Sequence, residues 1–216
     1  MTLVLHGVPG SPYLRKPILV CEEKGVPWTL KAMTFGENKS PEYMALHPFG
    51  RIPLMEHDGF RLYETQAILR YIDAAFDGPS LTPADPKAMA RMSQVLNIVD
   101  CYVMPSLSAG IGFNRLVAPI FGMPVNEAAV QAAIPQARVC LKALEDILGA
   151  NRYFAGDQLS LADLAAVSHL DFVPQSPEGA ELIAGSPLLA WLDRMAERPS
   201  VQKTEMRRMM GLEAAA

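Results

Sequence analysis

The stretch His47-Pro48-Phe49-Gly50-Arg51-Ile52-Pro53-Leu54-Met55-Glu56-His57-Asp58-Gly59-Phe60-Arg61-Leu62-Tyr63-Glu64-Thr65-Gln66-Ala67-Ile68 decides the fold. It reads as a loop, a short strand opening at a proline, a tight turn, a second strand and a helix start. Leu54 and Met55 supply the first strand, and Phe60, Leu62 and Tyr63 the second. Asp58-Gly59 between them is the dipeptide that most strongly signals a two-residue hairpin turn. Thr65 is a candidate cap for a helix running through Ala67, Ile68, Leu69, Tyr71 and Ile72. Two features suggest a site as well as a scaffold. A proline opening a strand leaves the adjacent backbone unpaired, and Ile52-Pro53 is a candidate cis bond. Glu64-Thr65 puts a carboxylate and a hydroxyl at a helix N-terminus, where free amides attract anions.

Upstream, Leu3-Val4-Leu5-His6 is an apolar strand broken at Gly7-Val8-Pro9-Gly10. Ser11 and Pro12 then read as N-cap and first helical residue. Leu14, Ile18 and Cys21 give this helix its apolar face, Pro17 distorts its early turns, and Gly25 ends it. A second strand lies within residues 26–35. Pro41 opens a short helix through Tyr43, Met44 and Leu46. The order β-α-β-α-β-β-α describes a small three-layer α/β unit, assigned to residues 1–78.

Residues 79–86, with prolines at 79, 83 and 86, read as a linker. Beyond it, residues 87–216 read as wholly helical. One long helix runs from Lys87 to about Leu107, with Met89, Met92, Val95, Leu96 and Val99 at helical spacing. Residues 109–124, rich in Gly, Phe and Pro, read as irregular. A second long helix spans residues 125–148 despite Pro135. Ser160 and Asp163 form the N-cap and N3 of a further helix, and Leu159 is placed to staple onto Leu164. Residues 187–198 form another amphipathic helix.

Composition narrows the function classes. Half of the 216 residues are hydrophobic, so a large core is available, and no apolar run reads as long enough to cross a membrane. A net charge of −4 with interleaved signs gives no reason to expect nucleic acid or an acidic lipid surface. Cys21, Cys101 and Cys140 are far apart, which argues against a disulfide framework or a zinc site. His6, His47, His57 and His169 show no metal-ligand spacing. A cytoplasmic protein is the expectation.

The α/β unit with Ile52-Pro53 and Glu64-Thr65, joined to a helical domain, resembles the glutathione S-transferase family. Asn38-Lys39-Ser40-Pro41-Glu42 and His47-Pro48-Phe49-Gly50-Arg51-Ile52-Pro53 are most similar to its phi-like and bacterial serine-type members. Ser160-Leu161-Ala162-Asp163 and Arg194-Met195-Ala196-Glu197-Arg198-Pro199-Ser200-Val201 match landmarks of its helical domain. The resemblance implies a thioredoxin-like N-terminal domain with a mixed sheet, an all-α C-terminal domain, a role in detoxification, and a homodimer.

It also implies a chemistry. A thiol near ~8.5 is mostly protonated at neutral pH, and a hydroxyl at a helix N-terminus favours the thiolate of glutathione. Ser11 occupies the position used by the serine-type members, with Tyr13 as a second candidate. Read alone, Ser11 is only an N-cap. Tyrosine-type members place their tyrosine where His6 and Gly7 stand, and thioltransferase-like members have cysteine where Ser11 stands. Ile52 and Pro53 would pair with the cysteinyl backbone as an added strand does. Glu64 would accept from the γ-glutamyl ammonium, Thr65 would donate to its carboxylate, and Lys39 would meet the glycyl carboxylate. Asn38 and Arg51 stand where the phi-like pattern often has histidine and glutamine, and Thr65 where the family usually has serine. Lys39 and Arg51, read singly, are solvated charges.

The second substrate is expected to be a hydrophobic electrophile bound where the domains meet, against Val8, Pro9, Tyr13, Tyr102, Met104, Phe113 and Arg115, although such residues at helical spacing are usually core. The leading expectation is a glutathione transferase without a metal. Glutathione-dependent isomerisation, dehalogenation or peroxide reduction, and non-catalytic ligand binding, are the alternatives. Phe49 is either a dimer knob or a buried loop anchor.

Overall fold

Unbroken apolar runs through Leu3-Val4-Leu5 and Leu54-Met55 make strands covered on both faces, since successive side chains point opposite ways and Leu54 and Met55 are both fully buried. In the computed structural model, which describes residues 3–212, they are the central pair of a sheet. The elements are β1 (Leu3–Gly7), α1 (Pro12–Lys24), β2 (Trp28–Ala32), a 3-10 turn (Glu37–Lys39), α2 (Pro41–Met44), β3 (Leu54–His57), β4 (Phe60–Tyr63) and α3 (Thr65–Ala75). The sheet order is β2-β1-β3-β4. β1 runs parallel to β2 and antiparallel to β3, with Leu5 opposite both Leu30 and Met55, and β4 returns antiparallel to β3. This is the mixed thioredoxin-like sheet. Asp58 (φ 51) and Gly59 (φ 83) both take the left-handed region, as the predicted hairpin turn requires.

α1 and α3 pack on each other, burying Ile18, Leu19, Ile68, Leu69 and Ile72 completely. Elsewhere in this unit Met33, Tyr43 and Leu54 form a smaller cluster, edged by Val8, Leu46, Ile52 and Tyr63. Cys21 sits in the α1 core, where burial pushes its thiol up to about 12 and removes it from nucleophilic chemistry.

The chain divides into two compact units. The first contains the described residues up to Leu81 and those from Arg198 to Leu212; the second runs Thr82–Glu197. The C-terminal segment therefore departs from the helical span 87–216 read from the sequence. Its short helices α9 (Pro199–Lys203) and α10 (Met206–Met209) belong with the sheet, because Arg15, Glu22 and Glu23 of α1 bind it directly.

The second unit holds α4 (Pro86–Ile98), a wide-turned π-type continuation (Val99–Val117), a 3-10 turn (Ala118–Phe121), α5 (Glu127–Leu148), α6 (Leu161–Leu170), a 3-10 turn (Val173–Gln175), α7 (Pro177–Ile183) and α8 (Pro187–Ala196). Two expectations change here. Residues 109–117 are helical rather than irregular, and their glycines serve packing: a Cβ on Gly110 would run into Ala133 of α5, and one on Gly112 into the Phe172 ring. The continuous helix Pro86–Phe121, 36 residues long, is long and apolar enough by composition to cross a membrane, contrary to the sequence reading. Its Met92, Val95, Leu96, Val99, Val103, Leu107 and Ile111 are nevertheless buried in this unit, so the apolar stripe is core. Met89, read as part of that stripe, is exposed.

The predicted capping box is present. Asp163 accepts from Ser160 N at 3.0 Å and Ser160 Oγ at 2.9 Å. It also accepts from Phe154 N at 3.0 Å and Trp191 Nε1 at 3.1 Å. Burial pushes its pKa up, against the pull of these four donors.

Candidate active site

The first strand delivers the chain to Gly10 and Ser11. Ser11 is the N-cap of α1, with Pro12 at the first helical position, and its N–H donates to the Val8 carbonyl at 3.0 Å. A capping serine normally spends its hydroxyl on an amide of the first turn. Here the Ser11 side chain makes no cap hydrogen bond, and among the described residues no other partner for it is found. A half-buried hydroxyl at the positive end of a 13-residue helix is thus left for something else. Tyr13 follows two residues later, with Lys16 Nζ 4.2 Å from its ring centroid, so its ring is already engaged by a cation.

A second group forms around the loop leading to β3. Asn38 Nδ2 donates to the Gly50 carbonyl at 2.7 Å, and Lys39 Nζ lies 3.4 Å from the Phe49 carbonyl. The Tyr43 hydroxyl, pushed up to about 12 by burial, donates to the Arg51 carbonyl at 2.8 Å. Lys39 and Arg51 are both exposed. The loop closes on the turn carrying Asn38 because Gly50 has no side chain. At φ 53, a Cβ there would stand 2.8 Å from the Asn38 carbonyl oxygen. Gly50→Ala combines a left-handed alanine with that clash, so it is expected to cost about 1–3 kcal/mol. It should also weaken glutathione binding in a calorimetric titration; unchanged affinity would detach this loop from the site.

The Ile52–Pro53 bond is cis, and Ile52 lies beyond the last β1–β3 register pair, His6–Leu54. Glu64, not Thr65, is the N-cap of α3, which corrects the sequence reading. It holds φ 70, a region that L-residues other than Asn and Asp seldom adopt, and its side chain caps nothing. That backbone turns the Glu64 carboxylate outward, exposed, while Thr65 is buried at the first helical position. A non-glycine residue kept at such a φ is characteristic of ligand sites.

His47, which the sequence reading left among scattered histidines, joins these pieces. It is 1 % exposed, stacks on Tyr63 with ring centroids 4.6 Å apart, and its Nδ1 has no partner among the described residues. It feels the charges of Glu64, Lys39 and Arg51, so these three predicted residues all lie within electrostatic reach of one ring. Its position in the His47-Pro48-Phe49-Gly50 loop, just before the cis bond, was the available signal. Burial lowers the His47 pKa, with Lys39 and Arg51 adding to the effect and Glu64 opposing it. His6 is likewise lowered by burial, helped by Lys31 and Arg61 and opposed by Glu56. Histidines held below their unfolded value of ~6.5 bind protons more readily in the unfolded chain. Stability is therefore full above ~6.5 and falls as pH drops below that value and through the lower folded ones. Urea midpoints followed downward from neutral pH should show this loss, and His47→Gln should reduce it; a flat profile down to the carboxylate range would refute it.

The expected electrophile residues are divided between the two units. Val8, Pro9 and Tyr13 belong to the first unit, and Val8 packs on the Met33–Tyr43–Leu54 cluster. Tyr102 (54 % exposed), Met104 and Phe113 belong to the second. Arg115 is not free to meet a substrate. Its Nη1 and Nη2 grip Glu127 at 2.6 and 2.7 Å, and its Nε lies 3.0 Å from Glu178. Among the described residues no cluster of three or more His, Cys, Asp or Glu is placed to hold a metal ion.

A thioredoxin-like unit with an open serine hydroxyl, a cis-proline loop and an exposed carboxylate at a helix start, followed by a helical unit, defines a class of two-unit thioredoxin-fold proteins. The pattern described as "Glutathione S-transferase, N-terminal domain" matches residues 5–80, and "Glutathione S-transferase, C-terminal domain" matches residues 98–199. The chain is 32 % identical to "Glutathione S-transferase 3" of Zea mays, over 94 % of this chain and 92 % of the relative. It is 31 % identical to "Glutathione S-transferase 1" of Zea mays, over 92 % of this chain and 94 % of the relative. Among solved structures it superposes on a maize glutathione S-transferase I in complex with an atrazine glutathione conjugate. The TM-score is 0.83 at 29 % identity, covering 98 % of this chain and 99 % of that one. A theta class glutathione S-transferase from Xanthomonas axonopodis pv. citri, with glutathione bound, gives a TM-score of 0.80 at 25 % identity, covering 94 % and 97 %. The chain belongs to the glutathione S-transferase family. It is a glutathione transferase.

Proposed function

We propose that Ser11 stabilises the thiolate of bound glutathione and that the thiolate attacks a small hydrophobic electrophile. The observation that carries this is the Ser11 hydroxyl, placed at a helix N-terminus and left without a protein partner among the described residues. The thiol gives its proton to solvent. The sulfur lone pair then forms the C–S bond, and a leaving group departs with the bonding electrons.

Glutathione's other ends have matching groups. Glu64 accepts from the γ-glutamyl ammonium, while Thr65 and the first amides of α3 donate to the adjacent carboxylate. The Ile52 backbone before Pro53 pairs with the cysteinyl residue. Lys39, with Asn38 and Arg51 in the same loop pair, meets the glycyl carboxylate. Val8, Pro9 and Tyr13, next to Ser11 in the chain, are the first contacts proposed for the electrophile. The enzyme is proposed to act in detoxification as a cytoplasmic homodimer. The three free cysteines suit a reducing compartment, and Phe49, 63 % exposed, suits a buried knob in a partner. Light scattering at micromolar concentration giving only monomer would remove the dimer.

Calorimetric titration with glutathione, followed by turnover of a chromogenic aryl halide on the same sample, tests the reading. Binding with turnover supports it. Binding without turnover redirects the site to isomerase, peroxidase or carrier chemistry, and no binding overturns it.

A further inference from the structure

Ser11 stands between two pieces of backbone, and one distant segment grips both. On one side is Gly10, at φ 83. A Cβ built there would stand 2.7 Å from Met210 Cγ and 2.8 Å from its Sδ, with Met206 Cγ 3.3 Å away. Met206 in α10 and Met210 at its end therefore lie directly on Gly10, and only a residue without a side chain lets them so close. Methionine's flexible thioether suits such an irregular contact.

On the other side is α1. Arg15, whose N–H donates to the Ser11 carbonyl at 2.9 Å, is buried one turn into that helix. Its Nε donates to Thr204 Oγ1 at 3.1 Å and its Nη2 to the Val201 carbonyl at 3.2 Å. Farther along, Glu23 accepts from Arg198 Nε at 2.8 Å and from the Ser200 hydroxyl. Lys203 Nζ reaches the two Glu22 oxygens at 2.8 and 2.9 Å. The segment from Arg198 to Met210 is thus tied down along α1 before its methionines reach Gly10.

A hydroxyl with no hydrogen bond among the described residues has its place set by the backbone on either side. We infer that Met210, Arg15 and Thr204 are positioning residues for Ser11: the C-terminal segment clamps α1 and presses Met210 onto Gly10, setting where the hydroxyl meets the sulfur. This rests on the Ser11 reading above. A displacement of about 1 Å at a reacting group can cost on the order of 10²-fold in rate, so a brace remote in sequence can matter.

The test uses the full chain. Met210→Ala removes the contact on Gly10, Met210→Leu refills its volume, and Thr204→Val removes the hydroxyl that Arg15 uses. Two quantities are read: the glutathione Kd by calorimetry, and the pH midpoint of the bound thiol from thiolate ultraviolet absorbance. Met210→Ala is expected to lower kcat/KM about tenfold and move the midpoint toward that of free glutathione. The Kd should stay within about twofold, and Met210→Leu should recover most of the loss. Thr204→Val should move the midpoint in the same direction. A midpoint unmoved in both Met210→Ala and Thr204→Val, whatever happens to the melting temperature, overturns the inference. Ser11→Ala separates the two claims. If it leaves the midpoint in place, the Ser11 reading fails and the inference falls with it. If it moves the midpoint and the other two variants do not, the inference alone fails.

Discussion

Ser11→Ala is expected to lower kcat/KM about 10²–10³-fold, the loss typical when one preorganised donor to an anion is removed. Glutathione affinity and the melting temperature should hardly change. The Ser11 hydroxyl caps no amide in the folded chain, so its removal strands no buried donor and breaks no helix start. That separation of effects is the informative part. An ordinary capping serine replaced by alanine would instead cost about 1 kcal/mol of stability and leave chemistry alone. Steady-state kinetics with a thermal melt on the same preparation check both halves. Turnover that survives the substitution would pass the role to another group, with Tyr13 the nearest phenol in sequence.

The largest effect on stability is expected at Asp163. Its carboxylate accepts from the backbone of Phe154 and Ser160, the Ser160 hydroxyl and the Trp191 indole, and it is fully buried. Asp163→Ala strands these donors in the core of the second unit, at about 1–3 kcal/mol for each that finds no new partner. A total loss of about 3–5 kcal/mol is expected, placing the variant among exceptional single substitutions. At this chain length each kcal/mol moves Tm by about 2–4 °C, so a drop of roughly 6–20 °C should be seen by calorimetry. Asp163→Asn should be milder, because one amide oxygen still accepts. A Tm within a degree or two of the parent would mean that the network is replaceable.

What could be read from the sequence was local. The Asp58-Gly59 turn, the Ser11-Pro12 start and the Ser160/Asp163 box are each fixed by residues a few positions apart, and all three stand in the structure. The features that escaped depend on distant neighbours or on unusual backbone. Thr65 looked like the α3 cap because hydroxyls cap helices. Glu64 takes that place at φ 70, a conformation that propensity argues against. Residues 109–124 read as irregular from their Gly, Phe and Pro, because the packing partners of Gly110 and Gly112, Ala133 and Phe172, lie far along the chain. Arg115 looked like a pocket residue, and only the fold brings Glu127 and Glu178 to it. The bond from Arg15 to Thr204 spans 189 positions, beyond any spacing rule. Of the candidate site, Ser11, Ile52-Pro53 and Glu64 were legible through a motif, whereas His47, which feels the charges of Lys39, Arg51 and Glu64, became visible through its burial.

The most direct measurement is a pH titration of the glutathione thiol on the purified wild-type protein, followed by thiolate absorbance under saturating conditions. A bound thiol ionising well below the ~8.5 of a free thiol would place glutathione against the Ser11 hydroxyl as its thiolate. A midpoint equal to that of free glutathione would contradict the central claim, since the site would then hold the peptide without activating its sulfur.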